Sequence, residues 1–328
     1  MRRVTLVAGG GGFVGSHLVD LLVDADDVVI VADNLVTGRI ENLSHHADGA
    51  VEFVNADVSK GLPEAITRHR FNRVYHLASP ASPLDYDRYP LETLHANAHG
   101  TEHLLRLALR DGARFLLAST SEVYGDAEVH PQAEDYWGHV NPIGPRSCYD
   151  EGKRYAEALT VNFARVHGID FRIARIFNAY GPRLKSGDGR MVPSFCVQAL
   201  AGEPLTVFGD GSQTRSLCYV GDLVRGLRAL METETASGQV VNIGSPDEHT
   251  VLEIAERIIQ LTESGSPIEY RELPIDDPRR RRPAIEKAQA LLGWEPHTPL
   301  DDGLRATIDY FVASAAAETA DPALSSRG

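Results

Sequence analysis

Tyr149 and Lys153 stand four residues apart in the run SCYDEGK. On a helix that spacing puts both side chains on one face. An ammonium beside a phenol stabilises the phenolate and draws its pKa down towards neutrality. Such a tyrosine can take the proton of a sugar or alcohol hydroxyl while hydride leaves to a nicotinamide. The spacing is common by chance, so the pair gains weight only from what surrounds it. Upstream, STSEVYG sets Ser121 and Glu122 at the end of an apolar run, with Thr120 before them and Tyr124 after. Tyr124 has no lysine four residues on and reads as a packing or substrate-shaping residue. Cys148 adjoins Tyr149 but has no histidine nearby in sequence, so it reads as a small filler rather than a nucleophile.

A nicotinamide needs a site, and GGGGFVG supplies one. Gly9, Gly12 and Gly15 fit one dinucleotide fingerprint, and Gly10, Gly12 and Gly15 fit another. Residues without Cβ allow a tight turn and let the backbone approach a pyrophosphate at a helix N-terminus. The run follows the apolar stretch RVTLVAG and opens the helical pattern FVGSHLVDLLVDA. Asp33 closes the next apolar stretch, roughly 20 positions on, where a carboxylate bonds the ribose 2′-hydroxyl. That charge repels a 2′-phosphate and favours NAD over NADP. Asp57 ends a third apolar stretch. It is expected either near the adenine end or as a strand-end cap.

The elements that must position these groups alternate. Apolar runs at RVTLVAG, VVIVADN, VEFVNADV, RVYHLAS, RFLLAST and FRIARIFN read as strands. Helical patterns separate most of them, notably LETLHANAHGTEHLLRLALRDG and EGKRYAEALTVNFARVHG. Alternation of this kind builds right-handed βαβ units. The expected fold is α/β, a Rossmann-type doubly wound parallel sheet with a smaller C-terminal substrate lobe. Residues 1–178 plus about 216–243 are assigned to the sheet domain, and 179–215 plus 244–314 to the lobe, which is richer in arginine and Pro/Gly punctuation. Residues 315–328 lack a clear apolar face and read as a flexible tail.

Composition narrows the partners. The 328 residues carry 32 basic and 46 acidic side chains, a formal charge of −14. This balance argues against nucleic acid and anionic membrane as partners. It leaves room for a small anion held by local arginines. The 13 histidines show no metal-type spacing, and no metal is expected. Three isolated cysteines suggest a reducing compartment, and no apolar run is long enough to span a bilayer. The expected location is the cytoplasm.

Longer stretches carry a more specific signal. HLASPASP, TSEVYGDAEVHPQAEDYWGHVNPIGPRSCYDEGKRYAE, RIARIFNAYGPR, DGRMVPSF, GDGSQTR and DDPRRRRPAIEKAQALLGWEP resemble the nucleotide-sugar enzymes of the extended short-chain dehydrogenase/reductase superfamily, and more narrowly the UDP-glucuronic acid decarboxylase family. The resemblance implies a UDP-sugar substrate, a homodimer, and NAD held tightly and recycled each turnover. It implies Tyr149, Lys153, Thr120, Ser121, Glu122 and Arg281 as catalytic residues. Gly9, Gly12, Phe13, Val14, Gly15, Asp33, Asn34, Gly38, Asp57, Val58, Leu77, Ala78 and Arg190, with Tyr149 and Lys153, are expected at the cofactor. Pro80, Ser82, Asn178, Arg215, Tyr219 and Arg281 are expected at the substrate. Of the run at 279–282, Arg281 is singled out, and Arg279, Arg280 and Arg282 are left as surface. The chain departs from the family pattern at His95, Ala96 and Ala179, where a basic residue and two threonines are usual. The membrane anchor of some relatives is not expected.

The implied chemistry explains the Ser-Glu pair. Oxidising C4 of a sugar that bears a C6 carboxylate makes a β-keto acid, which loses CO₂ readily. No water leaves, so the strong acid found at the first position in 4,6-dehydratases is not required, and Ser121 stands there. Glu122 could repel the substrate carboxylate or protonate C5. Arg281 could orient the carboxylate, and Thr120 could bond O4. Two other readings stay open: a 4-epimerase acting on the same UDP-uronate, and a non-catalytic NAD-binding protein.

Overall fold

The computed structural model describes residues 2–273 and 280–320, with side chains through residue 316. Arg279 and residues 321–328 lie outside the described residues. The six expected strands all form: β1 (Val4–Ala8), β2 (Val28–Asp33), β3 (Val51–Asn55), β4 (Arg73–His76), β5 (Arg114–Thr120) and β6 (Phe171–Ile176). Four short strands follow: β7 (Ala179–Tyr180), β8 (Leu205–Phe208), β9 (Thr214–Ser216) and β10 (Cys218–Tyr219). They lie outside the main sheet. The seventh strand of that sheet, β11 (Gln239–Ile243), pairs with β6 and has no counterpart in the sequence reading. Its residues QVVNI offer only two consecutive valines between Gln239 and Asn242, so no apolar run announces it. The spatial order is β11-β6-β5-β4-β1-β2-β3, all parallel.

Both faces of this sheet are covered. Side chains alternate along β1: Leu6 and Ala8 enter one core and Val7 the other. Helix α1 (Phe13–Val23) packs on the Val7 face. The other face takes the helices that follow β3, β4 and β5. These are α2 (Glu64–Thr67), α3 (Pro83–Arg88), α4 (Pro90–His95), α5 (Thr101–Asp111) and α6 (Ser147–His167). Leu104, Leu105, Ala156 and Phe163 supply its core. Each leucine buried completely contributes roughly 1.5–3 kcal/mol. One π-helical turn, Ala96–Gly100, joins α4 to α5. Strand order reverses between β1 and β4, so a crevice opens beyond their C-terminal ends.

The remaining elements make a third core. Helices α7 (Met191–Ala201) and α8 (Val220–Glu232) diverge: α8 returns to the Val7 face, and α7 stays with the lobe. Then come β12 (Glu248–Thr250), α9 (Val251–Leu261), β13 (Ile268–Arg271), β14 (Arg280–Arg281), α10 (Glu286–Leu292) and α11 (Leu300–Ala320). Thr250 and Glu253 form a reciprocal capping box that fixes the start of α9. Phe195, Ile254, Leu304 and Phe311 pack together in the lobe. Strand β9 sits between β12 and β14, which aims Arg215 and Arg281 from adjacent strands.

Two boundaries differ from the sequence reading. Ala288 and Trp294 belong to the core of the main sheet, although 244–314 was assigned to the lobe. Gly226 on α8 makes the space: a Cβ there would sit 2.9 Å from the Trp294 ring. Trp294 Nε1 donates to Asp222 O, and the N–H groups of His297 and Thr298 donate to the Asp222 carboxylate. Helix α11 continues to Ala320, past the expected start of the tail at 315.

Candidate active site

The glycine turn follows β1 and leads into α1. Gly9 has φ +85°, and its N–H donates to Ala32 O. A Cβ on Gly15 would lie 2.0 Å from Gly9 O, so the turn closes on the helix only with glycine there. Because Ser16 N–H is the donor that reaches Gly12 O, the preceding amides of the first turn have no partner within the helix. A cleft beside the turn is lined by Gly9, Gly12, Asp33, Asn34, Asp57, Val58, Leu77, Ala78 and Pro80. Asp33 accepts the N–H groups of Gly11 and Leu35 at 2.9 and 2.8 Å. Burial raises its carboxyl, and these two bonds oppose that. Gly38 packs against the same carboxylate, where a Cβ would meet Oδ1 at 2.9 Å. Asp57 lines the cleft and also caps the turn Val58–Lys60 through Ser59 N–H. Pro80, expected at the substrate, lies here instead. A backbone-walled cleft with donors at a helix start and a carboxylate at the far strand fits an adenine dinucleotide.

The larger cavity, about 640 Å³, opens where α6, the end of β5 and the lobe meet. Thr120, Ser121, Glu122, Tyr149, Lys153, Asn178, Arg215 and Arg281 all line it, as do Val14 and Arg190. Helix α6 starts at Ser147, so Tyr149 and Lys153 do share a helix face. Their coupling is not the one expected. Lys153 Nζ donates to Ala118 O at 2.8 Å and lies 5.8 Å from the centre of the Tyr149 ring. Burial pushes the phenol up to about 12, opposed by a hydrogen bond with the Thr120 side chain. Burial also drops the Lys153 ammonium to about 8. The expectation of a phenol already lowered by the lysine is therefore corrected: desolvation outweighs a cation 5.8 Å away that is spent on a carbonyl. Tyr86 stacks on Tyr149 with centroids 5.2 Å apart. Arg190 starts α7 and lies over the Phe13 ring at 5.8 Å, which sets it at the start of α1.

Glu122 sits in a cationic cradle. Arg281 Nη2 lies 2.8 Å from one carboxylate oxygen, and Arg146 Nη2 lies 2.9 Å from the other. Burial alone would raise this carboxyl. Arg281, Arg146 and Arg215 overcome burial and hold it below the usual range. Arg281 also donates to Asn178 Oδ1 at 2.9 Å. Asp150 is buried nearby, and burial with the Glu122 charge lifts it to about 7.

A second network fixes the arm that bears Arg281. Gln132 accepts Arg282 N–H at its side chain, donates its own N–H to Arg282 O, and accepts Ala284 N–H. Asn242 at the end of β11 donates to Gln132 O and Ala284 O. Tyr124 Oη donates to Asn242 Oδ1 at 2.7 Å and accepts from Arg175, which pairs with Glu157 through two bonds. Arg282 is half-buried by this stitching, not a free surface residue, whereas Arg280 is exposed.

Two expected substrate residues do not reach the cavity. Ser82 caps α3 by accepting Asp85 N–H and is absent from the lining. Tyr219, at the start of α8, packs edge-on against Tyr180 at 5.8 Å and is absent from the lining. Cys148 donates weakly to Tyr86 O, and burial pushes its thiol up, so it is a filler. Arg146 and Asp150 were missed. Arg146 precedes SCYD and Asp150 is its last residue; the one available signal, that a carboxylate at Glu122 needs cations, pointed only to Arg146. No described helix is long and apolar enough to cross a membrane.

Comparisons with known proteins agree with this geometry. A family model described as GDP-mannose 4,6 dehydratase matches residues 6–307. UDP-glucuronic acid decarboxylase 1 of Danio rerio is 53% identical over 94% of this chain and 73% of its own length. UDP-glucuronic acid decarboxylase 6 of Arabidopsis thaliana is 52% identical over 91% of this chain and 86% of its own. Among solved structures, UDP-glucose 4-epimerase of Thermotoga maritima with UDP-glucose has a TM-score of 0.86 at 33% identity, covering 95% of this chain and 99% of that one. UDP-glucuronic acid 4-epimerase of Bacillus cereus, in complex with UDP-glucuronic acid and NAD, has a TM-score of 0.82 at 28% identity with the same coverage. The cleft, the tyrosine–lysine helix and these matches agree: the chain belongs to the UDP-glucuronic acid decarboxylase family of the extended short-chain dehydrogenase/reductase superfamily.

Proposed function

We propose that the chain converts UDP-glucuronic acid to UDP-xylose and CO₂ with NAD that stays bound and is regenerated in each turnover. The observation that carries this reading is the ionised Glu122 between Arg146 and Arg281, in the same cavity as Tyr149. A uronate needs cations for its carboxylate, and decarboxylation gains from a fixed negative charge beside it.

NAD, when bound, supplies the acceptor and donor of the C4 hydride. Gly9, Gly12, Gly15, Asp33 and Asn34 would hold its adenosine side, and Arg190 flanks the inner end. Tyr149 Oη takes the C4 hydroxyl proton. Its phenol needs help against burial, and Lys153 supplies the nearest cation on the same helix. Thr120 orients the phenol and O4. Arg281, Asn178 and Arg215 hold the carboxylate and the sugar diphosphate. Glu122, paired with two arginines, stays a carboxylate and destabilises a facing carboxylate. The C5 enolate left by CO₂ takes its proton from solvent water, and the proton held by Tyr149 returns to O4 as hydride returns to C4. Ser121 can bond the sugar without expelling water.

The test is incubation with UDP-glucuronic acid and NAD, following CO₂ and the sugar nucleotide by NMR. UDP-xylose with CO₂ is expected. UDP-galacturonic acid without CO₂ would overturn decarboxylation in favour of the 4-epimerase reading, which the Bacillus cereus likeness favours.

The same reading includes a sheet domain and a nucleotide-sugar lobe, a homodimer and a cytoplasmic location. Exposed Leu91 on α4 and Tyr155 on α6 support the dimer, and the free cysteines support a reducing compartment. Light scattering of the purified chain tests the dimer.

A further inference from the structure

A second cluster of reactive side chains lies at the far end of α1. Asp20 is on that helix, and His45 and His46 follow the short turn Ile40–Leu43. Nε2 of His45 and Nε2 of His46 each lie 2.9 Å from Oδ1 of Asp20. The three atoms all fall within 4.8 Å of one another. Histidine spacing in the sequence hid this group, because the carboxylate comes from a different element 25 residues earlier.

The two imidazoles differ in a way that points to a ligand. The His45 ring is 47% exposed and hydrogen-bonds Oδ1. The His46 side chain is only 10% exposed, and its Nε2 is turned inward onto the same Oδ1. Two ring nitrogens thus converge on one carboxylate oxygen, the arrangement that a single bound ion would organise. Arg183 Nη2 holds the other carboxylate oxygen at 2.8 Å, which fixes the orientation of Asp20 and leaves Oδ1 turned to the histidines.

We infer that Asp20, His45 and His46 form a site for one divalent transition-metal ion of the zinc class. Two neutral nitrogens and one carboxylate oxygen are a donor set suited to Zn²⁺, with the fourth position open to water at the exposed side of His45. Zinc–ligand bonds of about 2.0–2.2 Å place neighbouring donors of a tetrahedron about 3.4 Å apart. The two nitrogen–oxygen contacts of 2.9 Å have to open by only about half an ångström. The Arg183 charge works against the cation, so the affinity belongs in the micromolar range rather than that of closed structural sites.

The site is placed to brace the cofactor loop. Arg39 N–H and the Asn42 side chain both donate to Gly11 O in the glycine turn. These residues belong to the segment that ends in His45 and His46. An ion joining that segment to α1 closes a loop around the glycine turn.

The test is calorimetric titration of the whole protein with Zn²⁺, together with His46→Ala, Asp20→Asn and a thermal melt. One equivalent is expected, with a higher melting temperature on binding and a loss of affinity of about tenfold or more in each variant. Absence of binding, or binding unchanged in both variants, would overturn the site. Asp20→Asn keeps the shape of the side chain, so its loss of affinity reads on ligation even where His46→Ala loosens the loop.

Discussion

The dinucleotide cleft is walled by backbone, and the sugar cavity is walled by charge. In the cleft, Gly9, Gly12 and Gly15 act by what they lack, and one continuous stretch from β1 to α1 places them. In the cavity, Glu122, Arg146, Arg215 and Arg281 arrive from the end of β5, the start of α6, and β9 and β14 of the lobe. The first region depends on local geometry and the second on tertiary assembly. Tyr149 stands between them, stacked on Tyr86 and bonded to Thr120. Damage to the cleft should therefore appear as lost cofactor. Damage to the cavity should appear as lost substrate or slower chemistry with cofactor retained.

The sharpest break comes at the junction. Tyr149→Phe should lower kcat about a thousandfold while cofactor content stays normal; turnover near the parent rate would remove Tyr149 as the base. On the cleft side, Gly15→Ala drives a Cβ to 2.0 Å from Gly9 O. Such crowding costs about 1–3 kcal/mol and should weaken NAD up to about a hundredfold, read by the cofactor that copurifies. A full cofactor complement would show that the turn adapts. On the cavity side, Arg281→Ala should weaken UDP-glucuronate about thirtyfold and leave UDP-glucose and NAD binding nearly unchanged. Equal weakening of both sugars would assign Arg281 to the nucleotide instead.

Glu122→Gln should slow CO₂ release about tenfold in a single turnover, with a smaller effect on the absorbance of reduced cofactor. Equal slowing of both half-reactions would remove its role at the carboxylate. The smallest effect concerns Asp150. Its carboxyl titrates near 7 in the fold against an ordinary 3.8. The native state holds that proton between those values and the unfolded chain does not, so native stability falls as pH rises through this window. Asp150→Asn lacks that loss. It should add about 3 °C to the melting temperature at pH 8 and almost nothing at pH 4; a gain independent of pH would mean that the charge at Asp150 is already compensated.

The sequence made the cleft legible because its signals are contiguous. Glycines, strand, helix and Asp33 fall within one βαβ unit, and the structure assembles them as that pattern requires. Tyr149 and Lys153 were legible for the same reason, being one turn apart. Their energetics were not, because spacing carries no information about burial. Nothing in sequence says that Lys153 spends a proton on Ala118 O or that the phenol is desolvated. Arg146 went unseen because it belongs to no spacing motif and earns its place only opposite Glu122. Tyr219 and Ser82 went the other way: each adjoins site residues along the chain, yet Ser82 turns to cap a helix and Tyr219 to pack on Tyr180. The break at 243 misled at Trp294, because only a three-dimensional fit to Gly226 brings that ring back to the sheet.

The stitching of Gln132 to the Arg281 arm spans 150 residues of sequence. Synthesis runs from the N-terminus, so a nascent chain that has emerged only through β6 already carries the glycine turn, Asp33, Tyr149 and Lys153. It does not yet carry Arg281, nor Asn242, which clasps both Gln132 and Ala284. During that interval Glu122 has Arg146 but not its second cation. The residues assigned to C4 oxidation and those assigned to gripping a uronate are thus separated in the order of synthesis. Residues made later complete the substrate side of a site whose cofactor side was drawn up first.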